Sequence, residues 1–167
     1  YAGRGYLPEA MVNFLTLLGW SPGSGDRELF SRDELVAAFD LGGISGGNAV
    51  FNTDKLDWFN QQHIARLSPA DLAARLQPSF QAAGLWDAAF LGERRDWFFA
   101  VLEQLRPRAK RLDEFAAIGR FFFTDALDYD QAAVGKHLLP GGVAGHLAAA
   151  DLALGALAAF DIVSIES

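Results

Sequence analysis

The stretch from Leu7 to Trp20, LPEAMVNFLTLLGW, indicates the kind of structure that this chain forms. Its apolar residues recur at spacings of three and four, which is the period of one helix face: Met11, Phe14, Leu15 and Leu18. Pro8 suits the first helical position, where no backbone N–H is needed, and Gly19 suits the end. The stretch therefore predicts a helix with one buried face.

Helix-start signals recur along the rest of the chain. Ser31 and Glu34 have the spacing of a capping box, and Ser68 followed by Pro69 marks another start. Asn52 or Thr53 is expected to cap the helix between them. Further helical patterns cover residues 92–123, 128–138 and 140–160.

Breaks between these patterns define the organisation. Pro107 divides residues 92–123 into two helices, because proline removes a helical hydrogen bond. The only candidate strand is NAVF, residues 48–51. We expect an all-α chain of eight or nine helices, with a domain boundary at Ser68. FDIVSIES, residues 160–167, resembles the start of another helix capped by Asp161, so the chain is expected to be a piece of a longer protein.

Composition narrows the class of protein. The chain has 167 residues, a net charge of -7, 51% hydrophobic residues and no cysteine, which excludes disulfides, thiolate metal sites and cysteine nucleophiles. The start lacks the features of a signal peptide, and no apolar run is long enough to span a membrane. The sequence predicts a globular protein without a membrane role and permits a cytoplasmic location.

The residues that usually carry catalysis do not form a recognisable site. The three histidines, His63, His137 and His146, have no acidic partner at metal-ligand spacing. GGISGGNAV, residues 42–50, lacks the lysine of a phosphate-binding loop and is better explained as a sharp bend or a close backbone approach. The acidic residues near position 128 fit a solvated loop. No catalytic residue and no metal ligand are predicted.

Positive charge is concentrated in one short stretch, LRPRAKR, from Leu105 to Arg111. Its four cations lie at the predicted helix junction, where guanidinium groups suit phosphates or base edges: Arg106, Arg108, Lys110 and Arg111. Arg94 and Arg95 could enlarge this surface. The alternative is a charge cluster that is merely solvated.

A second candidate binding feature is the pair Lys55 and Trp58. Three residues apart on a helix, they lie on one side and could present a cation beside an aromatic stacking surface. The alternative for Trp58 is a partly buried core residue.

Several long stretches resemble bacterial-type glutamyl-tRNA synthetases, in the region after the class I catalytic core. The resemblance covers nearly the whole chain, and the stretches that carry it follow the family's order: GYLPEAMVNFLTLLGWSPG (5–23), ELFSRDELVAAFDLGGIS (28–45), AVFNTDKLDWFNQQHI (49–64) and LRPRAKRLDEF (105–115). The resemblance implies a helical stem-contact domain, residues 1–68, followed by a helical anticodon-binding domain, residues 69–167, that is truncated at its C-terminal end.

The resemblance also implies what this chain lacks. The two ATP-binding signatures of the family would precede Tyr1, so ATP and Mg belong to the full-length enzyme, and no cofactor is expected here. This piece alone should not activate glutamate. Its expected partner is glutamate-specific tRNA, with no DNA or membrane partner, and a monomer is expected.

Individual positions follow from the resemblance as well. It places five residues near the tRNA stem and the domain hinge: Ser21, Glu28, Ser45, Lys55 and Trp58. Arg108 matches the position associated with the third anticodon base, where glutamine would go with tolerance of glutamine tRNA. Gln62 and Ala65 depart from the family, whose members often carry basic residues there, so the tRNA contacts of that helix are expected to be weaker.

Two other functions are compatible with the residues. One is a helical protein-interaction module that retains the ancestral sequence without an RNA role. The other is a free-standing enzyme, which would need a site that the sequence does not reveal.

Overall fold

Helices account for the secondary structure that the computed structural model contains. It describes residues 1–23, 27–47, 49–126, 128–158 and 165, and within them no strand is formed, apart from an isolated antiparallel bridge between Trp20 and Ile44. The described part has nine α-helices: α1 Pro8–Gly19, α2 Arg32–Ala38, α3 Thr53–Arg66, α4 Pro69–Ala82, α5 Arg95–Leu105, α6 Glu114–Ile118, α7 Arg120–Phe123, α8 Gln131–His137 and α9 Val143–Gly155. Short 3-10 turns cover Ala2–Arg4, Leu41–Gly43, Ala88–Leu91 and Arg106–Arg108.

The local start signals act as the sequence predicted. Ser31 and Glu34 form a complete capping box at α2, and the side chain of Ser68 accepts a hydrogen bond at the start of α4. Asn52, rather than Thr53, caps α3. The all-α prediction is confirmed. Residues 49–51 of the candidate strand are irregular, and position 48 and most of the expected C-terminal helix lie outside the described residues.

The chain divides into two compact units, Tyr1–Asp125 and Ala126–Ser167. In the first unit, one cluster of buried residues combines Leu7, Ala10 and Ile64 with apolar residues of α4, α5 and α6. Helices on both sides of Ser68 therefore share a core. The boundary between a stem-contact and an anticodon-binding domain at that residue remains a prediction.

Aromatic rings fill the half of this core that α4 and α5 build. Phe90 and Phe98 are stacked, with ring centroids 4.5 Å apart and planes at 10°. Phe80 and Phe123 pack edge-on to each other at 5.0 Å. Rings of this size bury a large apolar area for few rotatable bonds. Their packing holds α5 in place, and with it the start of the segment that follows α5.

Helix α3 is attached to α1 by a buried polar network. Asn13 donates to the carbonyl of Glu28 (2.9 Å) and accepts from the N–H of Phe30 (2.9 Å). His63 Nε2 lies 3.1 Å from the same Asn13 oxygen, so it acts as the donor. Burial, followed by the charge of Arg66, lowers the pKa of His63 and so favours the neutral imidazole.

The second unit contains α8 and α9. Asp130 caps α8 through the N–H of Ala133 at 2.7 Å. Gly142, with φ 94°, precedes α9, a left-handed conformation that glycine adopts without strain. Neither helix has a buried residue.

Candidate nucleic-acid interface

The stretch of concentrated positive charge adopts a defined backbone between α5 and α6. We call residues 106–112 the basic segment. It begins with the 3-10 turn Arg106–Arg108, passes through the fully buried Ala109 and ends at the N-terminal turn of α6. There a carboxylate oxygen of Glu114 accepts from the backbone N–H groups of Lys110 (2.7 Å) and Arg111 (3.3 Å). The segment is thus held without using the side chain of Arg108.

One face of α3 holds the basic segment. Gln61 donates to the carbonyl of Pro107 at 3.0 Å, and Asn60 donates to the carbonyl of Lys110 at 2.6 Å. Asp57, one turn earlier, lies 3.6 Å from Arg111. Spacings of three and four residues place these three side chains on one side of the helix.

Asn60 is the centre of this contact and is fully buried. Its oxygen accepts from the N–H of Leu7 at 2.8 Å, and its amide nitrogen donates to Gly5 at 3.3 Å as well as to Lys110. Gly5 in turn accepts from the N–H of Leu112 at 3.0 Å. One side chain therefore joins the N-terminal turn, α3 and the basic segment.

Arg106 is largely buried, and its guanidinium bonds to other residues of the protein. Its side chain is 12% exposed, and its guanidinium donates to the carbonyls of Ala65 (3.0 Å) and Leu67 (2.8 Å) and to Glu103 (2.6 Å). These carbonyls lie at the C-terminus of α3, where helical acceptors lack intrahelical partners and a cation is favourable. Arg106 thus supplies hydrogen-bond donors to the free carbonyls at the C-terminal end of α3.

Arg111 is surrounded by carboxylates. Besides Asp57, its guanidinium contacts Asp113 at 3.2 Å and Glu114 at 2.7 Å. Tyr6 donates to Asp57, and burial, with the Asp57 carboxylate adding to it, raises the pKa of Tyr6. The charge of Arg111 is therefore neutralised locally.

Arg108 and Lys110 have a different environment. Both are exposed, and their side chains form no hydrogen bond or ion pair with any residue that the structure describes. The four cations of the basic segment therefore differ in how many contacts they already make within the protein. RNA contacts by Arg106 and Arg111 remain predictions, and they would require existing bonds to break.

Three of the residues predicted to lie near the tRNA stem line one pocket of about 420 Å³: Ser21, Glu28 and Lys55. Lys55 Nζ lies 2.5 Å from a carboxylate oxygen of Glu28 and 5.8 Å from the centre of the Phe59 ring. The cation is thus directed to Glu28 and Phe59. Trp58 is 40% exposed and packs edge-on against Phe59 at 5.1 Å, so it is not a fully buried core residue.

Ser21 and Ser45 lie on two backbone segments that are hydrogen-bonded to each other. The N–H of Ser21 donates to Gly43, and that of Ser45 donates to Gly19, both at 2.9 Å. A Cβ at Gly43 would lie 2.3 Å from the carbonyl oxygen of Ser21. The glycine-rich loop is therefore a close backbone approach, as predicted, and both serines are exposed beside it.

The sequence analysis missed the residues that hold the basic segment. Asp57, Asn60 and Gln61 form a polar stripe on α3, and the signal was their spacing of three and four. Polar stripes are usually solvated, so this pattern alone did not identify a buried contact.

Neither a metal site nor a membrane span emerges from the described residues. Among them, no group of three histidine or acidic side chains is placed to hold a metal ion. None of the helices in residues 1–23, 27–47, 49–126, 128–158 and 165 combines the length and apolarity needed to cross a membrane.

Comparison with protein families assigns both ends of the chain. Residues 71–167, more than half of the chain, match the anticodon binding domain, and residues 1–58 match the catalytic domain of class I tRNA synthetases (E and Q). Together with the helical fold, these matches define the class as the anticodon-binding part of a class I synthetase, with the end of its catalytic domain.

Individual relatives show which class I synthetase the chain is similar to. The chain is 41% identical over 167 residues to a glutamate–tRNA ligase of Dehalococcoides mccartyi, covering 99% of this chain and 34% of that protein. It is 40% identical over 149 residues to the enzyme of Trichlorobacter lovleyi, covering 89% and 29%. The chain belongs to the glutamate–tRNA ligase family.

A solved structure agrees with this assignment. The glutamate tRNA ligase of Elizabethkingia meningosepticum superposes with a TM-score of 0.74 at 27% identity, over 92% of this chain and 29% of that one. The chain spans about a third of the length of the Dehalococcoides mccartyi enzymes that it matches.

Proposed function

We propose that this chain is the tRNA-binding, anticodon-recognising part of a glutamyl-tRNA synthetase. The full-length protein would attach glutamate to its tRNA with ATP and Mg, in the cytoplasm and as a monomer. The chain alone would bind glutamate-specific tRNA without activating glutamate. The proposal combines the family assignment with one feature of the surface, the availability of Arg108.

Arg108 is the observation that carries the proposal. It is exposed and unpartnered among the described residues, on a segment anchored by α3 and by Glu114. RNA sequence is read mainly at unpaired loops, where bases expose their hydrogen-bonding edges to side chains. A free guanidinium on a fixed backbone suits such a loop, and Lys110 beside it suits a phosphate.

The chemistry of the guanidinium suggests which base it reads. The third anticodon base is C in glutamate tRNA and G in glutamine tRNA. A guanidinium only donates, so it complements the N3 and O2 acceptors on the Watson–Crick edge of an unpaired cytosine, whereas the same edge of guanine carries N–H donors at N1 and N2. A glutamine amide donates or accepts and would penalise neither base.

The test compares kcat/KM for glutamate tRNA and glutamine tRNA in the full-length protein, at one fixed salt concentration. Arg108→Gln should lose about 1 to 3 kcal/mol of discrimination between the two, because one base-edge contact is removed. Glutamate activation should be unchanged. The matched control is Lys110→Gln, which should weaken both tRNAs alike. An unchanged ratio in Arg108→Gln would remove Arg108 as the reader.

A protein-interaction module is a second candidate, favoured by an apolar groove between α1 and α2. The groove has a volume of about 570 Å³, and its lining includes Leu15, Val36, Phe39 and Ile44, all exposed. Exposed apolar patches often mark interaction sites.

Salt dependence separates the two candidates. RNA binding through phosphates should weaken with a log–log slope of roughly 0.7 to 0.9 per contact, whereas an apolar interface should barely respond. Titrating tRNA against the full-length protein at several salt concentrations measures the slope. Absence of any tRNA binding would favour the interaction module.

A further inference from the structure

The contacts between α3 and the basic segment run in opposite directions along the two pieces of chain. Going forward along α3, the contacts run from Asp57 through Asn60 and Gln61 to Ala65. Their partners on the basic segment run backward: Arg111, Lys110, Pro107 and Arg106. Helix α3 thus contacts the basic segment both before and after Arg108.

We propose that Gln61 and Asn60 are positioning residues for Arg108, which fix its backbone so that its guanidinium meets one base. This inference rests on the proposed reading of the anticodon by Arg108. Gln61 holds the carbonyl immediately before Arg108, and Asn60 holds the carbonyl two residues after it. Ala109, fully buried, fixes the residue next to it.

Fixing the backbone matters because the arginine side chain is long and flexible. Each rotatable group that must be ordered on binding reduces the affinity gained from a contact. A side chain that reads a base edge must also place its donors within hydrogen-bonding distance of one base and not the other. If the basic segment moved, Arg108 could contact either base. Selectivity between the two tRNAs would then fall more than affinity for tRNA.

Gln61 offers a clean test because its contact is separable from folding. Its side chain is half-buried and makes one bond, whereas Asn60 is fully buried and also holds Leu7. Gln62, the next residue, is also half-buried and makes no side-chain hydrogen bond with a described residue. Gln61→Met removes the amide while keeping side-chain length, and Gln62→Met is the matched control.

The first measurement is hydrogen exchange of the basic segment in the full-length protein without RNA. Exchange at the backbone amides of Arg108 and Ala109 should speed up in Gln61→Met and not in Gln62→Met, because only the former loses the bond to Pro107. Asn60→Asp keeps an acceptor for Leu7 and removes the donors, so it should act in the same direction. Unchanged exchange in both Gln61→Met and Asn60→Asp would overturn the proposal.

The second measurement is selectivity, as the ratio of kcat/KM for the two tRNAs. Gln61→Met should lower this ratio about fivefold, the size of effect expected from one lost neutral hydrogen bond. In an Arg108→Gln background the same change should lower it no further, because Gln61 acts through Arg108.

The outcomes separate this inference from the function on which it rests. If Arg108→Gln lowers the ratio and Gln61→Met does not, only the positioning role is wrong. If Gln61→Met lowers the kcat/KM ratio by the same factor in the Arg108→Gln background as it does alone, the positioning role is also contradicted. If Arg108→Gln leaves the ratio unchanged, the reading of the anticodon by Arg108 is wrong, and the positioning role is overturned with it.

Discussion

Two polar faces of α3 differ in how they are used. The face with Asp57, Asn60 and Gln61 lies against the basic segment, and its side chains are partnered by residues distant in sequence. The other face carries Lys55 and Trp58, which are exposed at the surface. Buried polar groups need partners, so the first face is structural, whereas the second is exposed to solvent, with Lys55 paired to Glu28.

The same difference separates two arginines that are neighbours in sequence. Arg106 and Arg108 belong to one cluster of charge, yet the first completes α3 and the second has no partner among the described residues. Residue type and local charge density therefore do not show which cations already have partners in the protein. RNA would have to replace existing bonds at Arg106 but none to a described residue at Arg108.

The largest effect is expected where the structural face meets the N-terminal turn. Gly5 has φ 74°, and a Cβ there would lie 2.5 Å from the backbone nitrogen of Asp113. Gly5→Ala should lower the free energy of unfolding by about 3 kcal/mol, because strain and a backbone clash combine. Urea denaturation measures this change.

Gly3→Ala is the control, since a Cβ at Gly3 has nothing within 4 Å. Its unfolding free energy should stay within about 0.5 kcal/mol of the unsubstituted protein. Similar losses in the two variants would contradict the close approach of Gly5 to the end of the basic segment.

The next effect compares the two arginines directly. Arg106→Ala should cost about 2 kcal/mol of unfolding free energy, because the carbonyls of Ala65 and Leu67 at the end of α3 lose a charged donor. Arg108→Ala should change the same quantity by less than about 0.5 kcal/mol, as at an exposed position without partners. Equal losses in thermal or urea denaturation would erase the distinction between them.

Trp58 tests the exposed face. Trp58→Ala in the full-length protein should weaken tRNA binding by about 1 kcal/mol, because an aromatic surface for stacking is lost. Glutamate and ATP use should change less. Trp58→Phe should restore part of the affinity. If Tm collapses while tRNA affinity per folded molecule is kept, Trp58 stabilises the fold through its packing on Phe59 and does not contact tRNA.

The smallest effect concerns the ion pair of Lys55 and Glu28, whose side chains are 47% and 42% exposed. Lys55→Ala should change the unfolding free energy by less than about 0.5 kcal/mol, because exposed pairs are screened by solvent. Glu28→Gln should raise tRNA affinity slightly by releasing the cation. A loss of affinity in Glu28→Gln would mean that the carboxylate itself contacts the ligand.

Local interactions explain how much of the fold could be predicted. The capping box of Ser31 and Glu34, the start at Ser68 and Pro69, and the break at Pro107 involve residues within a turn of one another. Such contacts are fully specified by neighbouring residues. The all-α class was therefore available from the sequence alone.

The sequence by itself also determined which residues carry the positive charge, but only the tertiary structure decided which of them are free. Gln61 and Pro107 are 46 residues apart, and Asn60 and Lys110 are 50 apart. Helical periodicity has no information about the register between segments so distant, because that register is set by the packing of α3, α5 and the N-terminal turn. That packing buries Asn60, neutralises Arg106 and Arg111, and leaves Arg108 and Lys110 exposed.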